Sequence, residues 1–195
     1  FENNLHIVAC LLAKKAGRPV RLVNDMPEEF VSAPLRTPLR IDLKMGFERD
    51  GRITGKEVYV LADNGGRTHY GPAILSTACY RVDNTYRIPV TRSKGHLVYT
   101  NNVSKGAMRG FGHAEMLFAV ESLLDRAAES LGLDPADIRK VNAYKNGEVS
   151  IHGWVVGSCG LVECMDRAQE MSGWAEKRKA PRREGMKYRS EEHTS

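Results

Sequence analysis

Leu39-Arg-Ile-Asp-Leu-Lys-Met-Gly-Phe47, followed by Asp50-Gly51 and by Ile53 to Ala62, is the stretch that decides the fold. Leu39, Ile41, Leu43, Met45 and Phe47 alternate with polar or small residues, the period-2 pattern of a strand buried on one face. Asp50-Gly51 supplies a turn, and Ile53 to Ala62 returns as the second strand of a hairpin. Toward the N-terminus, residues 2–16 predict a helix that stops at Gly17 with Pro19 beyond it. Pro19 to Val23 predicts a short strand, and Met26 to Val31 one or two helical turns, which Glu28 and Glu29 after Pro27 would open. Toward the C-terminus, Asp63-Asn64-Gly65-Gly66 reads as a loop tolerant of positive φ. A helix over Pro72 to Tyr80 and a strand over Ser93 to Tyr99 come next. A polar loop over 100–112 leads to a long helix from Ala114 to Leu131, with Leu117, Val120, Leu124, Ala127 and Leu131 on one face. Asp134-Pro135-Ala136-Asp137 opens another helix, and Gly160 to Ser172 forms a last one. Strands and helices mixed without strict alternation predict an α+β fold.

The 195 residues are 42% hydrophobic and 27% charged, ordinary for a globular chain with one core. No apolar run approaches the roughly 18 residues of a membrane span, and Leu5 to Ala13, interrupted by His6, suits a buried helix better. Of the net charge of +5, residues 176–188 carry +4, residues 189–195 carry −1, and the first 175 residues carry only +2. The basic run is either a nucleic-acid or acidic-surface patch or a solvated helix end. No aromatic residues interleave it as stacking platforms, which favours the second. Cys10, Cys79, Cys159 and Cys164 form no Cys-x-x-Cys pair, and Cys10 within its apolar run reads as a core residue. Reduced thiols in a cytoplasmic protein are the expectation. Phe1 already lies inside a helical pattern, so we expect the chain to be a truncated piece. Arg189 to Ser195 matches the translation of a common sequencing-adapter start, and we expect native sequence to end near Tyr188. The expected divisions are therefore 1–175 for the domain, 176–188 for the basic segment and 189–195 for a non-native tail.

Residues 100–113, Thr-Asn-Asn-Val-Ser-Lys-Gly-Ala-Met-Arg-Gly-Phe-Gly-His, hold the best chemistry in the chain. Small residues let the backbone approach a ligand, and the helix that follows offers free N–H groups to an anion. Arg109 carries a permanent charge on a multi-donor head. Phe111 between two glycines can present a ring face to a planar molecule. From the residues alone, a Gly-flanked Phe such as Phe111 is more often a packing plug, and a loop Arg such as Arg109 more often a surface residue. His113 reads as a loop-orienting, capping or solvent-facing residue, and Glu115 as a first-turn acid facing the helix dipole rather than a catalytic acid. Asp63 and Asn64 either border the pocket or simply make a turn.

Arg109-Gly110-Phe111-Gly112 resembles a loop of the xanthine dehydrogenase/aldehyde oxidase family of molybdenum hydroxylases. Other matches fall in the same order: Gly17-Arg18-Pro19-Val20-Arg21, Asp83-Asn84-Thr85-Tyr86-Arg87-Ile88-Pro89, Thr100-Asn101, Glu121-Ser122, Gly132-Leu133-Asp134-Pro135 and Arg139-Lys140-Val141-Asn142. The resemblance covers about residues 2–172. It implies the N-terminal part of a molybdopterin-binding domain in the large subunit of such an enzyme. It implies a molybdenum–molybdopterin cofactor, in the cytosine dinucleotide form if the source is bacterial. It also implies hydroxylation of an aldehyde or N-heteroaromatic small molecule with oxygen from water, and electron transfer to 2Fe–2S and FAD centres on iron–sulfur and flavin subunits. It assigns Arg109, Gly110 and Gly112 to the cofactor and Phe111 to the substrate, with no direct metal ligand and no partner in nucleic acid or membrane.

Departures from the pattern narrow this. The family's catalytic glutamate would lie downstream and its Gly-Phe-Gly-Gly loop just before Phe1, so no catalytic residue is assigned here. The chain alone is expected to be inactive and free of molybdenum. Thr77 stands near where purine-oxidising members carry an arginine, which argues against a purine substrate. Gly110 stands where carbon monoxide dehydrogenases carry a cysteine, which argues against a copper–molybdenum centre. Two other readings remain: a non-catalytic basic module using Lys177 to Lys187, and a related subunit that has lost activity.

Overall fold

The computed structural model describes residues 5–80 and 85–179. Its elements begin α1 (Leu5–Ala16), α2 (Met26–Ser32), β1 (Leu35–Arg36), β2 (Leu39–Phe47), β3 (Ile53–Gly65) and α3 (Gly71–Tyr80). They continue β4 (Thr91–Tyr99), β5 (Lys105–Gly106), α4 (His113–Leu131), α5 (Pro135–Asn142), α6 (Leu161–Ser172) and α7 (Trp174–Lys179). The expected hairpin is there: β2 and β3 pair antiparallel, with Leu39 opposite Ala62 and Phe47 opposite Ile53. On its other side β3 pairs parallel with β4, with α3 in the connection between them. A parallel partner requires such a crossover, because the chain must return to the same end of the sheet.

β3 is therefore the central strand, buried on one face and half-buried on the other from Val58 to Ala62. Val58, Val60 and Ala62 are buried to 1% exposure or less. Val58 and Val60 join one buried cluster with α4, whose Met116, Val120, Leu124 and Ala128 are fully buried, one residue per helical turn. The apolar seam thus runs through Met116 and Ala128. Ala127 and Leu131, expected on it, pack half-buried at its border. Ile138 of α5 and Tyr86 and Ile88 of the loop before β4 join the cluster, an α+β core as expected.

Caps end the helices where the sequence places them. Asp25 and Glu28 form a reciprocal capping box at α2, so Glu28 and Glu29 do open a helix. Gly132, at φ 68°, ends α4 in the left-handed region, and Asp134 caps α5 through the Ala136 N–H at 2.7 Å. Arg139 joins those two helices by ion pairs to Glu121 at 2.7 Å and Asp125 at 2.8 Å. Tyr86 donates its hydroxyl to Glu121 at 2.8 Å, and burial together with that carboxylate pushes the phenol well above its ordinary value.

Three expectations fail. Pro19 to Val23 is no strand: no other strand pairs with it among the described residues, and Val23 is exposed. α1 buries no residue, and Cys10 on it is exposed, because its apolar side meets no other described element closely enough to shed water. The 63–66 loop begins later than expected, since β3 runs on to Gly65 through a bulge at Asn64. At the other end, α7 takes up the start of the basic run. Arg178 lies 5.3 Å from the Trp174 ring centre and 3.4 Å from Asp134, while residues 180–195 lie outside the described residues.

Asn142 shows how tightly α5 is bound to the hairpin. Its side chain is buried, donates to Gly51 O at 2.8 Å and Ile138 O at 2.7 Å, and accepts from the Ile53 N–H at 2.9 Å. Asn142→Ala strands the buried Ile53 donor and the Gly51 acceptor. We expect a loss of about 2–4 kcal/mol in urea unfolding; a loss under about 0.5 kcal/mol, typical of a neutral surface change, would contradict this account.

Candidate functional site

The parallel strands β3 and β4 end at the same edge of the sheet, and the 100–112 loop starts there. In mixed sheets that edge is where loops free of ladder obligations can serve a ligand. The bulge at Asn64 turns the end of β3 toward the loop. Asp63 then fastens it. One carboxylate oxygen accepts from the Gly65 N–H at 2.8 Å and from the Thr100 hydroxyl at 2.6 Å; the other accepts from Asn102 Nδ2 at 2.8 Å. Burial alone would raise this carboxyl, but those three donors and the nearby Lys105 charge hold it below the ordinary value. Gly65, at φ 72°, lies so near the loop that a Cβ there would sit 2.4 Å from Val103 O. Asn64 is fully buried and donates to Thr68, whose hydroxyl is 2.6 Å from Tyr99 Oη. Farther along, β5 pairs parallel with β1, setting Arg36 opposite Gly106.

The loop closes in two successive turns. Phe111 N–H donates to Met108 O at 2.9 Å, with Gly110 at φ 91° in the third position, the requirement of a type II turn. His113 N–H donates to Gly110 O at 2.8 Å, with Phe111 at φ 50° and Gly112 at φ 88° between them, the signs of a type I′ turn. Phe111 is the only positive-φ residue other than glycine among the described residues. Holding an L residue there costs about 1–2 kcal/mol. Gly112 cannot be anything larger, since a Cβ would come 2.6 Å from Ile74 O of α3.

Arg36 spans both turns. Its Nη2 donates to Arg109 O at 2.9 Å and its Nη1 pairs with Glu115 at 2.6 Å. With its carbonyl on Arg36, the trans Arg109–Gly110 peptide turns the Gly110 N–H the opposite way. Gly110 is exposed, as is Arg109, whose guanidinium has no hydrogen-bond or ion-pair partner among the described residues. Phe111 is half-buried and meets Tyr70 edge to face, ring centres 5.9 Å apart. His113 makes no side-chain cap on α4, and its Nδ1 is buried without a partner among the described residues.

Arg109 and Gly110 thus form an exposed strip of positive charge and backbone donor, with Phe111 set beside it and Gly112 buried against α3. Glu115, expected to face the helix dipole, also holds Arg36. Thr77 sits half-buried on α3, one turn beyond Ile74. Asp83 and Asn84 lie outside the described residues, while Tyr86 and Ile88 from the same motif serve the core. Sequence reasoning missed Arg36 and Tyr70, because a two-residue strand and a lone loop tyrosine have no period to read. No group of three or more His, Cys, Asp or Glu is placed to hold a metal among the described residues. The donor set instead fits an anionic, hydrogen-bond-accepting group such as molybdopterin, held through its own acceptors.

Residues 1–143 match the molybdopterin cofactor-binding domain family. The xanthine dehydrogenase molybdenum-binding subunit of Escherichia coli O157:H7 is 37% identical over 175 residues, 89% of this chain and 23% of that protein. The nicotinate dehydrogenase large molybdopterin subunit of Eubacterium barkeri is 34% identical over 161 residues, 82% of this chain and 38% of the relative. The aldehyde oxidoreductase structure from Desulfovibrio gigas superposes with a TM-score of 0.81 at 29% identity, over 90% of this chain and 19% of that one. The chain belongs to the xanthine dehydrogenase/aldehyde oxidase family of molybdenum hydroxylases, within its molybdopterin cofactor-binding domain. It spans 38% or less of the length of each of these relatives.

The Asp63 network makes the loop acid-sensitive in a defined direction. A depressed carboxyl contributes stability that is present above its ordinary pKa of 3.8 and lost as pH falls through the lower, folded value. Asp63→Asn should flatten that part of an acid unfolding curve followed by circular dichroism. An unchanged curve would show that Asp63 does not hold the loop.

Proposed function

We propose that this chain forms one wall of a molybdenum hydroxylase active site. Arg109, Gly110 and Gly112 contact the molybdopterin side, and Phe111 packs against the substrate. The observation that carries this is the loop's strained geometry: Phe111 is held in the left-handed region two residues from Arg109, whose guanidinium has no partner among the described residues. Strain of this kind persists only where the surroundings enforce it, and it collects at ligand sites. When bound, the cofactor supplies a two-electron oxidation in which the oxygen added to substrate comes from water. The chain's own share is positional. Arg109 offers a fixed charge-assisted donor, the Gly110 N–H a second donor, and Phe111 a ring face that orients a planar or carbonyl-bearing molecule.

The substrate proposed is an aldehyde or an N-heteroaromatic, the kinds of molecule named in the aldehyde oxidoreductase and nicotinate dehydrogenase relatives. Thr77 brings no charge to α3 for reading a purine. The whole enzyme would pass electrons to 2Fe–2S and FAD centres on iron–sulfur and flavin partners, carry the cytosine dinucleotide form of the cofactor and work in the cytoplasm. No helix among the described residues is long and apolar enough to cross a membrane. The basic-module alternative gains nothing from α7, where Arg178 is occupied by Asp134 and Trp174.

In the holoenzyme, Arg109→Ala should lower kcat/KM by about two orders of magnitude, the usual cost of one preorganised donor at a reacting site. Steady-state kinetics with molybdenum analysis decide it: near-normal turnover at normal metal content would remove Arg109 from the site.

A further inference from the structure

We propose that Arg36 is a positioning residue that locks the Arg109–Gly110 peptide so that the Gly110 N–H, rather than the Arg109 carbonyl, faces the cofactor. This rests on the cofactor-wall reading above. Type I and type II turns differ chiefly by a half-rotation of their central peptide. In the turn from Met108 to Phe111 that peptide is Arg109–Gly110. Glycine at the third position accepts either sign of φ, so the sequence of the turn itself does not choose between the two states. The choice is made from outside, by the Arg36 Nη2 bond to Arg109 O at 2.9 Å. A flip would break that bond and would turn an acceptor, in place of a donor, toward an anionic group.

The fork of the guanidinium matters as much as its charge. One arm holds Arg109 O and the other holds Glu115 in the first turn of α4, so Arg36 bridges the segment containing Gly110, Phe111 and Gly112. Its anchorage is independent of that segment, because β1 is fixed by its pairing with β5. Arg36 and Glu115 keep 42% and 21% of their side-chain surface, so as an ion pair they add little to folding stability. Their effect is therefore expected at the site and not in the fold.

The test compares Arg36→Ala, Arg36→Lys and Arg109→Ala holoenzymes by molybdenum content, by pterin released on denaturation, by melting temperature and by kcat and KM separately. Arg36→Ala should lower cofactor content, or kcat per loaded site, by roughly 10–100-fold, with KM and melting temperature little changed. Arg36→Lys, which reaches one partner at a time, should fall between. Should Arg36→Ala yield no soluble protein, the lysine variant decides alone. Wild-type cofactor content and kcat in either Arg36 variant, or a fall in melting temperature with both unchanged, overturns the proposal. If that occurs while Arg109→Ala is impaired, only the positioning role falls. A normal Arg109→Ala enzyme would instead refute the cofactor-wall reading itself.

Discussion

Everything at the site hangs from the packing of α4 across the β2–β3 hairpin. Val58 and Val60 alternate on one face of β3, and Met116, Val120, Leu124 and Ala128 repeat every fourth residue on the helix. All six side chains are essentially without solvent contact, and burying groups of this size contributes about 1.5–3 kcal/mol for each of the larger ones. The same contact sets the position of the α4 N-terminus relative to the end of β3. The 100–112 loop has to bridge those two fixed ends, so its geometry inherits the rigidity of a core it scarcely enters.

What holds the loop is different in kind. Apart from the half-buried Phe111, its restraints are polar: Asp63 on Thr100 and Asn102, Arg36 on Arg109 O, and two turn hydrogen bonds. Polar restraints give orientation at little cost in burial, and each is worth only about 1 kcal/mol net. Together they offset the positive φ of Phe111. The core thus fixes where the loop is, and the polar ties fix which way its peptides point.

The sequence disclosed the parts of this with a period or a punctuation mark. Strict alternation from Leu39 to Phe47 gave the hairpin, Gly132 and Asp134 marked a helix end and a helix start, and the Gly-flanked Phe111 marked the loop. Pro19 to Val23 shows the limit of reading a strand from a short apolar stretch, since such a stretch becomes a strand only where another strand is there to pair with it. Cys10 shows another: an apolar helical run predicts a buried face, but burial needs an opposing surface, and α1 buries none of its residues. The parallel β3–β4 pairing and the β1–β5 bridge join segments dozens of residues apart and leave no local trace. Arg36 could be recognised only once that bridge had set it opposite Gly106.

The positive φ of Phe111 is likewise invisible in the residue string, and it links fold to function. A glycine at 111 would relieve the strain but would remove the ring that meets Tyr70 5.9 Å away. A phenylalanine in an ordinary conformation would keep the ring but lose the type I′ turn that brings the chain into α4 at Gly112. Keeping both means accepting about 1–2 kcal/mol of backbone strain. Gly112 shows that the chain has no slack to escape it, because Ile74 O already lies 2.6 Å from where its Cβ would be. A loop that merely connected β4 to α4 would have no reason to retain such a conformation. One that presents an aromatic face and a guanidinium from positions two apart does.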